Sequence, residues 1–327
     1  MIRNIFAALI LLVSACIPTS ILAVQPEQIG LYEPPGQYFD IGGYKLHLYC
    51  EGQGSPTVLL ESGLGGFSLD WFSVQAQLSR VTRVCSYDRA GYGWSQMGPA
   101  PRTVAQIADE LEILLDKADI LGPLVLVGHS FGGYGVQYFS KMNPERTLGM
   151  VLVESSHPQQ SERLPDIPSH RDRSDSLDDV TVFFNPDTVL NYPQALRSVA
   201  HGILASRKTL FTQRREFLNF TYSGIQVDEL GDLPDRPLSV ITRGKRVWPN
   251  DPYGNTLERT WLEMQKEFLQ SSHSATHVFA NKSGHLVHMD EPELVVATIM
   301  DTISTICESN QPELTEVKSE LSYCLQH

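Results

Sequence analysis

The sequence predicts an α/β fold: a mostly parallel sheet of about eight strands, helices on both faces, and a helical cap inserted over one edge. Three observations carry this. Short apolar runs alternate with helical-period segments over residues 38–154, the alternation breaks across 155–236, and it resumes over 237–307. Strands and helices alternating at these lengths build right-handed crossovers, which make a parallel sheet covered on both faces. No period of solenoid length recurs, which excludes a stacked-repeat architecture.

The elements follow in order. Residues 38–41 and 44–50 are β-like and are separated by Gly42-Gly43, a hairpin signal. Residues 57–61 are an almost wholly apolar run after Pro56, as a strand buried on both faces is. A helical pattern over 69–78 precedes another strand at 82–87. From Thr103, a candidate cap, Val104, Ile107, Ala108, Leu111, Leu114 and Leu115 line one helical face, and Leu121-Gly122-Pro123 ends the helix. An apolar strand at 124–127 leads into a helix over 131–142, stopped by Asn143-Pro144, and a further strand follows at 150–153. The 155–236 insertion holds five prolines before residue 194 and helix-like pieces at 195–205 and 209–220. Strand 238–242, helix 257–269, strand 277–280 and helix 291–306 then complete the core, leaving a polar tail over 308–327.

The chain has 327 residues, is 42% hydrophobic and carries a formal net charge of −13. Such a composition describes a globular enzyme-sized domain rather than a disordered one. With no lysine or arginine cluster, it also excludes nucleic acid as a partner, because phosphate binding needs a concentrated basic face. Residues 1–23 read as a leader: Arg3 supplies the positive start, residues 5–13 the apolar run, and small residues follow. Two processing routes are open, lipidation at Cys16 in Val13-Ser14-Ala15-Cys16 or cleavage after Ala23. Either exports the protein, as a periplasmic or secreted chain or as one tethered to a membrane through Cys16. Four cysteines then remain, Cys50, Cys85, Cys307 and Cys324, an even number that permits two disulfides. Cys50 and Cys85 fall on strands that neighbour one another in such a sheet, and Cys307 and Cys324 flank the tail; free buried thiols are the alternative.

The chemistry concentrates at strand ends. Gly128-His129-Ser130-Phe131-Gly132 follows an apolar strand and opens an apolar helix. That context holds a serine hydroxyl out above the sheet on a sharp turn, and the flanking glycines let the backbone take it. A serine needs a base, and His285 of Ser283-Gly284-His285 lies just after the last strand, on the same sheet edge. His288, one helical turn on, reads as a surface or supporting residue. For the acid that orients the imidazole, Glu154 immediately ends strand 150–153 and is our first choice; Asp251, in the loop after strand 238–242, is the alternative. The oxyanion of an acyl-transfer intermediate needs preorganised donors; the backbone N–H of Phe131 and of Leu64, in Ser62-Gly63-Leu64-Gly65-Gly66, are the candidates. Asp88–Ser95 reads as a structural turn. No metal or organic cofactor is expected, since no histidine, cysteine and carboxylate cluster has ligand spacing, and His157, His273 and His277 read as isolated structural residues.

Taken together, Glu61-Ser62-Gly63-Leu64-Gly65, the run from Tyr87 to Ser95, Gly128 to Gly133 and Ser283-Gly284-His285 resemble the α/β-hydrolase superfamily, and most nearly its esterase, lipase and peroxidase-like branch. The resemblance implies the α/β-hydrolase fold, a Ser-His-acid triad and a small-molecule acyl substrate entering between cap and sheet. Ser130 excludes the relatives that use an aspartate nucleophile. Two departures stand out. The first oxyanion loop reads Ser62-Gly63 where the superfamily usually has His-Gly, and the loop after strand 238–242 reads Gly244-Lys245-Arg246-Val247 in place of Gly-x-x-Asp. The second departure favours Glu154 over Asp251, as does the acid followed by Ser/Ala-Ser-His-Pro that the resemblance implies at this strand end. A non-catalytic binding protein on the same fold, or an acyltransferase using the same triad, are the alternative readings.

Overall fold

The computed structural model describes residues 33–164 and 186–309, together with Cys324. The expected leader, with its Cys16 and Ala23 alternatives, lies outside the described residues, as do part of the 155–236 insertion and nearly all of the tail.

Eight strands form one sheet: β1 (Gln37–Asp40), β2 (Lys45–Glu51), β3 (Thr57–Glu61), β4 (Val84–Asp88), β5 (Leu124–His129), β6 (Thr147–Val153), β7 (Leu238–Arg243) and β8 (Ala275–Ala280). Their order is β1-β2-β4-β3-β5-β6-β7-β8. The β1–β2 and β2–β4 pairs are antiparallel and all others parallel. At the β1–β2 turn, Asp40 accepts hydrogen bonds from the amides of Gly42 and Gly43 at 2.9 and 2.8 Å. Both glycines have positive φ, +115° and +110°, which a residue with a Cβ takes only under strain. The chain turns back from β4 to run on through β5 on the far side of β3, so the strand order switches direction at β3. Loops leaving the carboxyl ends of strands beside such a point open onto a crevice.

Ten helices are described: α1 (Phe72–Leu78), α2 (Val104–Lys117), α3 (Phe131–Met142), α4 (Gln160–Arg163), α5 (Arg197–Leu204), α6 (Arg207–Leu218), α7 (Phe220–Glu229), α8 (Pro252–Glu267), α9 (Val287–Asp290) and α10 (Pro292–Glu308). The pleat sends alternate residues to opposite faces, and the core divides accordingly. Leu59, Leu124, Leu126, Met150 and Leu152 pack with Leu111, Leu114, Val136 and Phe139 of α2 and α3. Val58, Leu60, Val125, Val127, Val151 and Val153 pack on the other face with Val74 and Leu78 of α1 and Val295, Ile299 and Ile303 of α10. Strands sandwiched in this way need apolar residues at every position, which is why β5 reads as a continuous apolar run.

The structure redraws several elements. The helical pattern at 69–78 divides into a 3-10 turn at Ser68–Trp71 and then α1. The helix expected to run to Leu121 stops at Lys117, and Asp119 turns the chain with a φ of 56°. Within the described part of 155–236 there are helices and 3-10 turns but no strand. The expected piece at 209–220 is α6, and it is followed after Asn219 by a further helix, α7, absent from the sequence reading. Gly224 of α7 permits that packing: a Cβ there would lie 2.6 Å from the carbonyl oxygen of Pro158.

Two disulfides tie the molecule, Cys50–Cys85 and Cys307–Cys324. Cys50 and Cys85 are direct register partners on β2 and β4. The Asp88–Ser95 segment is the turn the sequence suggested. The Asp88 carboxylate accepts from the amides of Ser68 and Trp94, both at 2.8 Å, and faces His47 Nδ1 at 2.8 Å. A Cβ on Gly93 would strike that carboxylate at 2.1 Å, so the second glycine of Gly91-Tyr92-Gly93 is required by close approach.

Candidate active site

Ser130 stands between β5 and α3 with φ 52° and ψ −121°, a strained conformation for a residue with a Cβ. The surroundings hold it there: its amide donates to the carbonyl of Val153 at 3.2 Å, and its own carbonyl accepts from Gly133 and Ser156 at 2.8 and 3.0 Å. Gly132 lets α3 lie directly beneath the loop after β3, since a Cβ there would come within 2.5 Å of the Glu61 carbonyl oxygen.

The Ser130 hydroxyl lies 3.0 Å from His285 Nε2, and His285 Nδ1 lies 3.3 Å from Glu154 Oε2. A carboxylate only accepts, so Nδ1 carries the imidazole proton and Nε2 is left to accept from the serine. His285 reaches this position from the loop after β8, and its side chain is 39% exposed while Glu154 is fully buried. The imidazole therefore meets the solvent side and the carboxylate closes the inner end. Glu154 follows β6 directly with a φ of 47°.

Asp251 is elsewhere. It is exposed and caps the N-terminus of α8, its carboxylate accepting from the Gly254 amide at 2.7 Å. An N-cap of this kind satisfies an orphan helix donor, which accounts for an aspartate before Pro252 without any role beside His285.

Glu154 has partners that no local sequence pattern announced. Arg243, the last residue of β7, donates its amide to Oε1 at 2.9 Å and its guanidinium to Oε2 at 2.6 Å. Trp261 Nε1 of α8 donates to Oε1 at 3.1 Å. Burial raises the carboxyl's pKa, but the hydrogen bond with His285 and the Arg243 charge outweigh it and hold Glu154 below the usual carboxylate value. It is ionised. Arg243 in turn donates to Glu258 at 3.0 Å and lies over the rings of Trp248 and Trp261.

Two more imidazoles crowd the site. His129 Nε2 donates to the His285 carbonyl at 2.9 Å, tying the backbone of His285 to the end of β5. Of the two readings of His288, surface or supporting, the structure shows the second: it is buried and packs 4.3 Å from the His129 ring and 4.6 Å from Trp71, because α9 folds inward over the 3-10 turn. Burial, followed by the neighbouring histidines, lowers the pKa of both, His288 to about 3. Both rings are neutral, so neither opposes a positive charge forming on His285.

The loop after β3 passes close over Ser130; a Cβ on Gly63 would lie 3.1 Å from the serine Cβ. Of the residues whose amides the sequence suggested, Leu64 lies in this loop and lines the same cavities as Ser130, and Phe131 is the first residue of α3. The amide of Phe131 opens the helix, one of the four that have no intrahelical acceptor. Two cavities share Ser130, His285 and Leu64 as a common wall. One, of about 350 Å³, runs under the 3-10 turn toward Asp70, Tyr192 and Gln213. The other, of about 400 Å³, is walled by Phe217, Phe220, Val247, Trp248 and Trp261.

The model of the alpha/beta hydrolase family matches residues 58–298. The chain belongs to this family. Among its relatives, an uncharacterized protein of Bacillus subtilis, YqjL, is 25% identical, over 84% of this chain and 94% of that protein. A Hormonema carpetanum protein named "Probable transporter efuK" is 26% identical over 86% of this chain, which spans only 44% of that longer protein. Solved structures of the alpha/beta hydrolase fold superpose on the molecule. A thermophilic esterase from Thermogutta terrifontis does so with a TM-score of 0.56 and 19% identity, covering 83% of this chain and 99% of the esterase. The eight-stranded, mostly parallel sheet is that of the alpha/beta hydrolase fold, and Ser130, the loop after β3 and His285 all fall within the matched span, which leaves out the β1–β2 hairpin and the end of α10.

Proposed function

We propose that this alpha/beta hydrolase is a serine hydrolase that cleaves a carboxylic ester or related acyl bond through Ser130, His285 and Glu154. The observation that carries the reading is the unbroken chain of contacts from the serine hydroxyl through the imidazole to a buried, ionised carboxylate. His285 Nε2 takes the Ser130 proton as Oγ attacks the acyl carbon. The carbonyl oxygen becomes an oxyanion between the Leu64 and Phe131 amides. His285 then gives the proton to the leaving alkoxide, and the acyl group remains on Ser130. Water, deprotonated by the same nitrogen, releases the acid and restores the serine. Glu154 fixes the tautomer and balances the imidazolium, and His129 and His288 remain neutral bystanders that add no repulsion.

The two cavities on either side of Ser130 suit the two halves of an ester, the one toward Trp248 and Trp261 taking an apolar group. The solved esterase with the same fold supports ester chemistry by likeness of fold alone. We also read the chain as exported: two disulfides are what an oxidising compartment forms, and the leader-like start agrees. Hydrolysis of p-nitrophenyl acetate and longer esters by the full chain tests the function. Release of nitrophenol that disappears with Ser130→Ala supports it; undiminished hydrolysis by Ser130→Ala refutes it.

A further inference from the structure

Arg89 lies in the Asp88–Ser95 turn, but its side chain leaves the turn and enters the buried space beneath the loop after β3. There Nη1 donates to the Ser62 carbonyl at 2.5 Å and Nη2 to the Gly63 carbonyl at 2.8 Å. The adjacent edge of the same guanidinium meets Glu216 of α6, with Nε and Nη2 each 3.0 Å from its carboxylate oxygens. Tyr92 completes the set, donating its hydroxyl to Glu216 at 2.9 Å and accepting from the Gly65 amide at 3.3 Å. Arg89, Tyr92 and Glu216 are all buried. Three consecutive anchor points of one loop, Ser62 O, Gly63 O and Gly65 N, therefore end on one network whose acid comes from the inserted helices.

The geometry points to Arg89 and Glu216 as positioning residues for the oxyanion site, through which the inserted helix α6 sets the aim and strength of the Leu64 amide. The inference rests on the reading of Ser130 as nucleophile. A peptide unit is planar and trans, so its C=O and N–H point in opposite directions. The Gly63 carbonyl and the Leu64 amide belong to one such unit. Holding the carbonyl on Arg89, and on the Gly66 amide at 3.1 Å, turns the Leu64 N–H away from the network and toward the cavity above Ser130. A cation on the carbonyl also polarises the unit and makes its N–H a better donor. The same guanidinium lies 5.4 Å from the centre of the Phe131 ring, so it packs against the residue that supplies the other amide. Glu216 fixes the guanidinium's orientation by its two-point contact, which lysine at position 89 does not reproduce. An oxyanion donor matters only as charge develops, so a fault here lowers kcat and leaves substrate binding almost untouched.

The test compares wild type, Glu216→Gln, Glu216→Ala and Arg89→Lys by p-nitrophenyl acetate kinetics, by inhibition with a trifluoromethyl ketone, and by thermal melting. Ser130 Oγ adds to the ketone carbon, its proton passes to His285, and the ketone oxygen becomes the oxyanion, so ketone affinity reads the two amides directly. Loss of one oxyanion donor costs on the order of 100-fold in kcat, and a misaimed donor on the order of 10-fold. Glu216→Ala and Arg89→Lys are therefore expected to lower kcat about 10-fold with KM nearly constant, and to weaken the ketone by the same factor. Glu216→Gln, which still accepts from Arg89, recovers most of the loss. Should the larger changes fail to fold, Tyr92→Phe removes only the link between Glu216 and Gly65 and is expected to show the same kcat-only loss. Folded variants that melt earlier yet keep kcat and ketone affinity would overturn the inference, as would a rise in KM at constant kcat. A wild type that neither hydrolyses esters nor binds the ketone would instead overturn the nucleophile reading, and this inference with it.

Discussion

Glu154 is held by three elements at once: the Arg243 amide and guanidinium from β7, the Trp261 indole from α8, and His285 from the loop after β8. Asp251 merely caps α8. The two carboxylates thus separate by experiment. Asp251→Ala is expected to keep kcat/KM within about two-fold and to cost about 0.5–2 kcal/mol of stability, the range for a lost N-cap. Glu154→Gln is expected to lower kcat on the order of 10³–10⁴-fold, as loss of the imidazole-orienting acid does in such triads. Steady-state kinetics and urea unfolding on both variants check the pair. A different carboxyl, one of two among the described residues whose pKa burial raises to about 7, contributes to the pH dependence of stability. Burial raises the Glu61 pKa from 4.5 to about 7, and the charge of Arg89 does not overcome it. Between those values the unfolded chain has released this proton and the folded chain has kept it, so this group's contribution falls as pH rises. Glu61→Gln removes that loss. Urea unfolding is expected to find the variant close to wild type near pH 5 and more stable near pH 8, by roughly 3 kcal/mol; equal gaps at both pH values would contradict this.

At the scale of elements, the glycines around Ser130 record how closely α3 lies against the loop after β3. Gly132→Ala would drive a Cβ to 2.5 Å from a backbone carbonyl that has no side chain to swing away. It is expected to cost about 1–3 kcal/mol or more, the range for an overpacked core. Gly122→Ala, with no atom within 4 Å, is expected to be neutral or slightly stabilising; melting curves of the two variants give the comparison. The same contrast explains what the sequence disclosed. A serine between an apolar strand and an apolar helix, with glycines at fixed offsets, is a local pattern, and so is a histidine just past the last strand. Arg243, Trp261, Arg89 and Glu216 form no such pattern. Their partners lie 15 to 127 residues away along the chain, and only the sheet order brings them together. Arg243 reaches Glu154 because β6 and β7 are parallel neighbours, with Val153 paired to Ile241. Between the surface and supporting readings of His288 the sequence left the choice open for the same reason: only the fold of α9 against Trp71 and His129 decides it. The insertion yielded least, since α7 follows α6 without a break that composition marks.

For the molecule as a whole, one sheet carries the site on its carboxyl edge, and the inserted helices reach down to it through Glu216. The disulfides act on a different part, the antiparallel edge and the end of α10. Cys50–Cys85 and Cys307–Cys324 are separated by 35 and 17 residues. Loop-closure entropy gives about 4 and about 3 kcal/mol for loops of these lengths. Reduction is therefore expected to lower the melting temperature markedly while leaving activity at low temperature intact, because neither bridge touches Ser130, His285 or Glu154. Melting and ester hydrolysis with and without a thiol reductant check this. The central claim, that Ser130 is an activated nucleophile served by His285 and Glu154, is tested most directly by fluorophosphonate labelling of the full chain with the adduct mapped by mass spectrometry. A single adduct on Ser130, formed by wild type and Asp251→Ala but far more slowly by His285→Ala and Glu154→Gln, is the predicted result. No adduct on folded wild type, or labelling as fast without His285 as with it, would contradict the claim.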